Sequence, residues 1–357
     1  MGPKPDRWVG WLVAGGLLAL GPAAGADDLL DRVTFNGFMG VEFERQLDTQ
    51  GFGDPEGSFD SDVIGIAINV HATDRVRVSI ESDWEHGAST GASRGSLNLE
   101  YGFMEYTVSD LLKIRAGKFL TPFGIFNEIH NVAYTFAPVK LPSPSNRTDR
   151  IVQGAYAPHP RWGTGVAVHG DSSIGGRDWS YDVLVANGDN ATVNPFDRDE
   201  NESKSVAARV RFEPSPHLRL GTSFYWDRTM QAGFNRLVSH GAEGDLRLGR
   251  IQVLAEGIFG WKRRTTGETV RQIAAYGQAA YRFDNRITPY VRLEFVDLRD
   301  TSDDAGINLI TGANYEIDRN LFLKLENDHF RGRAKNPLGE LPGGGYDELK
   351  VALCFGF

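Results

Sequence analysis

The segment LRLGTSFYWD, residues 218–227, decides the fold. Apolar side chains fall at every second position, from Leu218 through Phe224 to Trp226, and most of the positions between them are small or polar. A period of two places alternate side chains on opposite faces of a β-strand, whereas a helix has a period of about 3.6 residues. The segment is therefore predicted to be a strand with one apolar and one polar face.

The same alternation recurs from residue 32 to the C-terminus, and helical periodicity is nearly absent. We predict an all-β chain of sixteen strands, near residues 32–46, 61–70, 75–85, 95–107, 111–119, 162–170, 178–187, 204–213, 217–227, 239–248, 250–261, 271–283, 287–297, 306–317, 320–331 and 347–357. Beyond the N-terminal region no run of about 18 apolar residues occurs, so no membrane-spanning helix is expected.

The connections between these segments alternate in length. Those after even-numbered strands are turns, such as 73–74 and 284–285, and those after odd-numbered strands are longer, such as 47–60 and 188–203. Outer-membrane barrels have this asymmetry, with tight periplasmic turns and long extracellular loops. The pattern predicts a transmembrane antiparallel β-barrel of about sixteen strands in the bacterial outer membrane. A soluble β-sandwich or propeller is the alternative, but neither predicts a strict alternation of loop length.

The first 26 residues predict secretion. Lys4 and Arg7 precede a 13-residue apolar stretch, 8–20, and Ala24 to Ala26 form a small-residue cleavage site. Residues 1–26 are therefore expected to be a signal peptide and residues 27–357 the barrel.

Aromatic residues lie near the predicted strand ends. Trp226 and Trp261 fall at extracellular ends, and Trp179 and Tyr281 fall at periplasmic ends. Such rings form girdles at the level of the lipid headgroups. The chain ends in Phe357 on an alternating strand, which is expected to pair with the first strand and to turn its apolar side to lipid.

Composition excludes several functions. The chain carries 38 Lys and Arg against 47 Asp and Glu, a net charge of -9, so nucleic-acid binding is not expected. Its one cysteine, Cys354, excludes an internal disulfide, and the spacing of His, Cys and acidic residues predicts no metal, cofactor or enzyme site. His169 and Ser172 are close in sequence, but a predicted turn gives no triad geometry. The acidic loop 188–203 is expected to be solvated rather than to bind Ca²⁺.

The connection 120–161 is much longer than the others, and loops beyond about 12–15 residues are usually functional. It contains six of the 16 prolines and has a net charge of +2. Folded into the lumen, it would place fixed charge at the narrowest point of a channel; the alternative is an extracellular flap. The candidate constriction residues are Lys118, Glu128, Lys140, Arg147 and Arg150. Lys118 shares its strand phase with lipid-facing residues, so it is expected to lie above the bilayer or to follow a bulge.

Strand phase also assigns a polar lining to the lumen. The basic candidates for this wall are Arg75, Arg77, Lys113, Arg115, Arg209, Arg211 and Arg219. Acidic residues such as Glu256 and Glu326 share the same face. Charges of both signs fit either a selective lining or a surface whose charges pair with one another.

Residues 116–128 read AGKFLTPFGIFNE, and they resemble the end of a barrel strand and the following loop in the phosphate-selective porin O and P family. The signal peptide, the strand pattern and Phe357 extend the resemblance over most of the chain. It implies a sixteen-stranded and often trimeric porin that passes small solutes, with anion selectivity from Arg and Lys in the lumen. The chain departs from that family in carrying 9 Lys against 29 Arg, without a dense lysine cluster.

These observations predict an outer-membrane porin for the passive diffusion of small hydrophilic solutes, including anions such as phosphate. The expected partners are outer-membrane lipids, lipopolysaccharide, small solutes or anions, and further copies of the chain in a homotrimer. The alternative is a non-conducting scaffold barrel that is plugged by 120–161 and binds a partner protein.

Overall fold

The structure is a computed structural model, and it describes residues 31–47, 56–85, 96–128, 136–142, 158–188, 203–229, 233–297, 305–332 and 345–357. The signal peptide predicted at 1–26 lies outside the described residues and stays a prediction. In the described ranges, no helix combines the length and the hydrophobicity of a membrane span.

Sixteen antiparallel strands form one closed barrel, in which each strand pairs with its neighbours in sequence and the last pairs with the first. The strands are β1 (Val33–Gln46), β2 (Ser58–His71), β3 (Val76–Glu85), β4 (Ser96–Ser109), β5 (Leu112–Leu120), β6 (Trp162–Ile174), β7 (Arg177–Asn187), β8 (Lys204–Ser215), β9 (Leu218–Asp227), β10 (Phe234–Leu248), β11 (Ile251–Arg264), β12 (Thr269–Tyr281), β13 (Ile287–Asp297), β14 (Ala305–Asp318), β15 (Leu321–Gly332) and β16 (Gly345–Gly356). The predicted all-β fold and strand number are confirmed.

The barrel closes where β1 meets β16. The register places Val41 opposite Leu353, and Phe357 exchanges two backbone hydrogen bonds of 2.9 Å with Gly37 beyond the last strand residue. A Cβ at Gly37 would lie 2.2 Å from the Phe357 ring, so glycine makes room for the terminal aromatic side chain. Closure leaves no unpaired strand edge.

The two faces of each strand have opposite polarity. On β13, Val291 and Leu293 are 44% and 54% exposed, whereas Arg292 and Glu294 are each 1% exposed. The apolar side chains therefore point outward and the charged ones point into the barrel. An outward apolar face around a polar interior is the architecture of an outer-membrane barrel, because lipid solvates the outside.

Two aromatic levels delimit the apolar band. Tyr281 lies opposite Ile251 at the periplasmic end of β11, and Trp261 lies ten residues further along that strand. At about 3.4 Å per residue and a tilt of about 40°, this separation is about 25 Å along the barrel axis, the height of a typical lipid-facing band. At the periplasmic level, Tyr281 packs edge-on against Phe283 with centroids 4.7 Å apart.

The prediction of strictly alternating connection lengths is wrong at one point. The connection between β11 and β12, residues 265–268, is as short as the turn 72–75 between β2 and β3. The strands there are longer than predicted, and β10 begins at Phe234 instead of 239. Arginines at outward positions, Arg236 and Arg263, interrupt the apolar alternation, although the backbone pairing continues through them.

A charge on the lipid face is expected to be costly in a depth-dependent way. Leu293→Arg, in the middle of β13, should lower the free energy of unfolding in bilayers by about 2–4 kcal/mol. The matched variant Leu248→Arg, beside a periplasmic turn, should cost about 0–1 kcal/mol. Reversible denaturant unfolding in vesicles measures both values, and equal costs would contradict the orientation described above.

Candidate functional site

The connection between β5 and β6 folds back into the barrel. We call its described residues, 121–128, 136–142 and 158–161, the strap. Phe123 and Phe126 are 0% and 1% exposed, and they pack among inward side chains of the wall that include Tyr225 and Tyr276. Phe123 also stacks on His159, with ring centroids 4.2 Å apart. The strap is thus held inside the barrel by two apolar clusters.

A tight turn at Gly124 is the first polar attachment of the strap. The Gly124 N–H donates to Ser223 Oγ at 3.0 Å, and its carbonyl accepts from Arg211 Nη2 at 2.8 Å and Arg209 Nη1 at 3.3 Å. Gly124 has a φ of 64°, and a Cβ there would lie 2.1 Å from Glu256 Oε1. Both the backbone conformation and the available space therefore require glycine.

Glu256 receives the next residue of the turn. Its Oε2 accepts from the Ile125 N–H at 3.2 Å and from the Tyr276 hydroxyl at 3.2 Å. Arg209 extends the attachment, because it forms ion pairs with Glu128 of the strap and, at 2.8 Å, with Asp182 of β7. The charge of Glu128 is thus neutralised at the wall.

The middle of the strap is fastened to the opposite wall. Lys324 Nζ donates to the carbonyl of Pro138 at 3.0 Å and also to that of Phe136. The Val139 N–H donates to Glu326 Oε2 at 3.0 Å, and the Tyr290 hydroxyl donates to the same oxygen at 2.6 Å. Side chains of both signs therefore satisfy backbone groups that no sheet or helix satisfies.

Lys140 is the cation of the strap that reaches β1. Its Nζ forms ion pairs with Glu42 and with Glu44, the latter at 3.2 Å, and its carbonyl accepts from Arg292 Nη1 at 2.9 Å. Burial disfavours the ammonium, but the two carboxylates outweigh that effect, so the pKa of Lys140 lies above its ordinary value. Lys140 remains charged at neutral pH, and two acidic residues compensate its charge.

Of the remaining constriction candidates the structure describes Lys118, and it does not place Lys118 in the lumen. Lys118 lies on the outward face of β5, where its Nζ is 5.4 Å from the centre of the Trp162 ring and donates to the Leu99 carbonyl at 2.7 Å. Lys113 and Arg115 point inward, and Lys118, which has the opposite phase on the same strand, points outward. Arg147 and Arg150 lie outside the described residues.

The wall candidates divide into three groups. Arg209 and Arg211 hold the strap, and Arg219 pairs with Glu213 at 2.6 Å beside a periplasmic turn. The other four, Arg75, Arg77, Lys113 and Arg115, line one cavity of about 500 Å³ that opens between β2 and β6. We call it the β2–β6 cavity.

Glu105 is the centre of the β2–β6 cavity. Its Oε2 accepts from Arg115 Nε at 2.6 Å and Arg77 Nη2 at 3.1 Å, and His169 Nε2 lies 2.8 Å from the same oxygen. Four basic residues and three acidic residues line the cavity together with two histidines. The strap bonds described above fall on β1, β8, β9, β11, β13 and β15. None of them falls on β2 to β6, the part of the wall that contains this cavity.

A second cavity, of about 600 Å³, lies between β10 and β15. We call it the β10–β15 cavity. Its lining contains one acidic residue, Glu316, and four arginines, Arg247, Arg250, Arg282 and Arg286. Phe136 and Ala137 of the strap form part of its wall.

The sequence placed Arg209, Arg211, Glu256 and Glu326 on the lumen wall without predicting that they hold the strap, and it did not single out the other residues of the attachment. Ser223, Tyr276, Tyr290 and Lys324 all have the inward phase of their strands, which was the only signal in the sequence. Alternation shows that a residue faces the lumen, but it does not show what the side chain meets there. Across the described ranges, no group of three or more His, Cys, Asp or Glu side chains could hold a metal ion.

Sequence comparison finds one distant relative of the chain. No protein-family model matches the chain. An uncharacterized protein of Aquifex aeolicus (strain VF5) is 23% identical over 221 residues, which cover 58% of this chain and 47% of that protein. The chain thus spans about half the length of this relative.

The barrel is similar to several solved structures of outer-membrane proteins. An anion-selective porin from Comamonas acidovorans matches with a TM-score of 0.60 and 12% identity over 91% of this chain and 99% of the other. OmpT of Vibrio cholerae in its trimer form gives 0.61 and 12%, with the same coverage. The outer membrane channel DcaP of Acinetobacter baumannii gives 0.60 and 12% over 91% and 97%. At this identity the likeness shows the fold.

The turn at Gly124 is expected to control how firmly the strap is held. Gly124→Ala should detach the turn, because the added methyl collides with Glu256 and the left-handed backbone costs about 1–3 kcal/mol. Limited proteolysis of the refolded barrel should then cleave the strap roughly tenfold faster. Gly175→Ala is the matched control, because Gly175 has a φ of 61° but no atom within 4 Å of the added Cβ. Equal cleavage of the two variants would contradict this attachment.

Proposed function

We propose that the protein is an outer-membrane porin through which small hydrophilic solutes diffuse passively, with a preference for anions. The observation that carries the proposal is the combination of a strap across the lumen with the basic β2–β6 cavity beside it. A strap narrows the passage, and the charged cavity wall acts on any solute that passes it. No chemical step is needed for this activity.

The polar interior favours a water-filled passage over a packed core. Some inward charges, such as Arg292 and Lys324, are buried against strap carbonyls, whereas Arg77 and Arg115 line the open β2–β6 cavity. The strap thus leaves room on the β2–β6 side. Such a lumen would admit hydrated solutes by size.

The charge of the two cavities favours anions. The lining of the β2–β6 cavity carries four basic against three acidic residues, and that of the β10–β15 cavity carries four arginines against one glutamate. Low-dielectric walls focus the field of fixed charges and raise the local concentration of counter-ions. Arginine binds phosphate oxygens in bidentate fashion, so inorganic phosphate is the anion to test first.

We also propose that the porin assembles as a homotrimer. The similar OmpT structure is described as a trimer form, and a barrel with an apolar outside can associate in the membrane without changing its lumen. The scaffold barrel is the competing proposal, and it draws on a specific observation. The strap bonds reach both sides of the barrel, at Glu256 and at Glu326, as a plug would.

Planar-bilayer recording tests the anion preference. The double variant Arg77→Gln/Arg115→Gln removes two positive charges from the β2–β6 cavity and leaves His169 as the remaining partner of Glu105. In a KCl gradient, the reversal potential should shift toward cation preference, with the anion-to-cation permeability ratio falling roughly twofold to tenfold. The control Arg177→Gln/Arg319→Gln removes the same charge from periplasmic turns and should keep the wild-type value.

The same recordings separate the competing functions. Open wild-type channels whose current is reduced by added phosphate would support a phosphate-binding lumen. A conducting double variant with an unchanged reversal potential would refute the role of the β2–β6 cavity. A folded wild-type barrel that neither conducts nor passes sugars in liposome swelling would overturn the porin and favour the scaffold.

A further inference from the structure

Three arginines lie on the outside of the barrel at the extracellular ends of adjacent strands. Arg236 of β10 pairs directly with Arg263 of β11, and Arg271 of β12 lies opposite Trp261. The chain neighbours Leu237 and Lys262 are 0% exposed and point inward, so Arg236 and Arg263 point outward. Neighbouring strands are about 4.8 Å apart, which brings the three side chains into one patch.

The patch lies at the level of the outer headgroups. Arg263 follows Trp261 by two residues, about 5 Å further along the barrel axis than the aromatic level that delimits the apolar band. Trp261 packs edge-on against Phe259 at 4.5 Å and His240 at 5.6 Å between ring centroids. Arg236 and Arg263 thus stand directly above an aromatic cluster, and Arg271 lies beside it at the level of Trp261.

These arginines have no counter-ion among the residues that the structure describes. No carboxylate there pairs with any of the three. Asp297 of β13, opposite Ile273, is at an outward position nearby, so the patch with Asp297 still has a net charge of +2. Like charges directly opposite each other destabilise a sheet. An external anion between the guanidinium groups would remove that repulsion.

Below the arginines, the lipid face is unusually flat. Two adjacent outward positions on each of β10, β11 and β12 carry glycine or alanine, and the six residues are neighbours across the strands: Ala242, Gly244, Ala255, Gly257, Ala275 and Gly277. A Cβ at Gly257 or Gly277 would meet no atom within 4 Å, so this surface is an open trough. On the adjoining strand β13, Leu293 and Phe295 are large and outward, and they form one edge of the trough.

We propose that this face binds one molecule of lipopolysaccharide, with its lipid A phosphates on Arg236, Arg263 and Arg271 and its acyl chains in the trough. Arginine forks match phosphate oxygens in bidentate geometry, which gives both charge neutralisation and orientation. A phosphorylated headgroup with several acyl chains needs a cationic patch at headgroup level directly above an apolar surface. The position of the patch at the extracellular ends of the strands selects the lipid of the outer leaflet.

Binding of lipopolysaccharide to the purified, refolded barrel in detergent tests the site. The triple variant Arg236→Gln/Arg263→Gln/Arg271→Gln should bind roughly 10- to 100-fold more weakly than the wild type, since each basic residue near a phosphate surface contributes about fivefold. The control Arg32→Gln/Arg177→Gln/Arg319→Gln loses the same charge at the periplasmic end of the barrel and should bind as the wild type does. Equal affinity of the two triple variants would overturn the proposal.

A lipid without phosphates identifies which part of the lipid the arginines hold. Lipopolysaccharide stripped of its lipid A phosphates should bind the wild type as weakly as the intact lipid binds the triple variant. Equal binding of both lipids would overturn the phosphate contacts. Heat-modifiable migration in gel electrophoresis verifies that every variant is folded.

Filling the trough tests the acyl-chain contact. Gly257→Leu/Gly277→Leu has space for its side chains and keeps all three arginines, and it should still weaken binding of lipopolysaccharide severalfold. Its oligomeric state should stay that of the wild type. Loss of oligomers in this variant, with lipid affinity retained, would show that the face joins two copies of the chain and would overturn the lipid site.

Discussion

A peptide group in the hydrocarbon of a membrane has no water to bond with, and the rest of this structure depends on that constraint. Sixteen strands satisfy it only because β16 returns to β1, so that every strand has two partners. Closure then separates an outside that lipid solvates from an inside that water and charged side chains can occupy. The alternation seen in the segment 218–227 is the mark of this separation in the sequence.

Burial makes a similar demand on the strap inside the barrel, because buried backbone groups also need hydrogen-bond partners. Its backbone belongs to no sheet, yet Arg211, Glu256, Lys324 and Glu326 of the wall supply its donors and acceptors. Much of the charge in the lumen therefore serves to hold the strap. A smaller group of charges, centred on Glu105 in the β2–β6 cavity, is left to face solutes.

The sequence predicted the strands, their number and the inward or outward face of most residues, because a period of two is a local property. It did not predict partners across the lumen. Arg209 and Arg115 have the same phase, but one meets the strap and the other meets Glu105. Lys140 was a candidate for a fixed charge at the constriction, and the structure pairs it with Glu42 and Glu44. Such pairings depend on how a distant segment folds, which no local pattern records.

The strap bonds to both sides of the line where the barrel closes. Lys140 reaches Glu42 on β1, while Val139 reaches Glu326 on β15 and packs against Ala352 of β16. Pairing β1 with β16 joins the first and the last strand, which has the largest sequence separation of any strand pair described and is the slowest kind of contact to form. A segment from the middle of the chain that binds both partners shortens that search. The contacts of the strap with both strands therefore mean that docking of the strap and closure of the barrel stabilise each other.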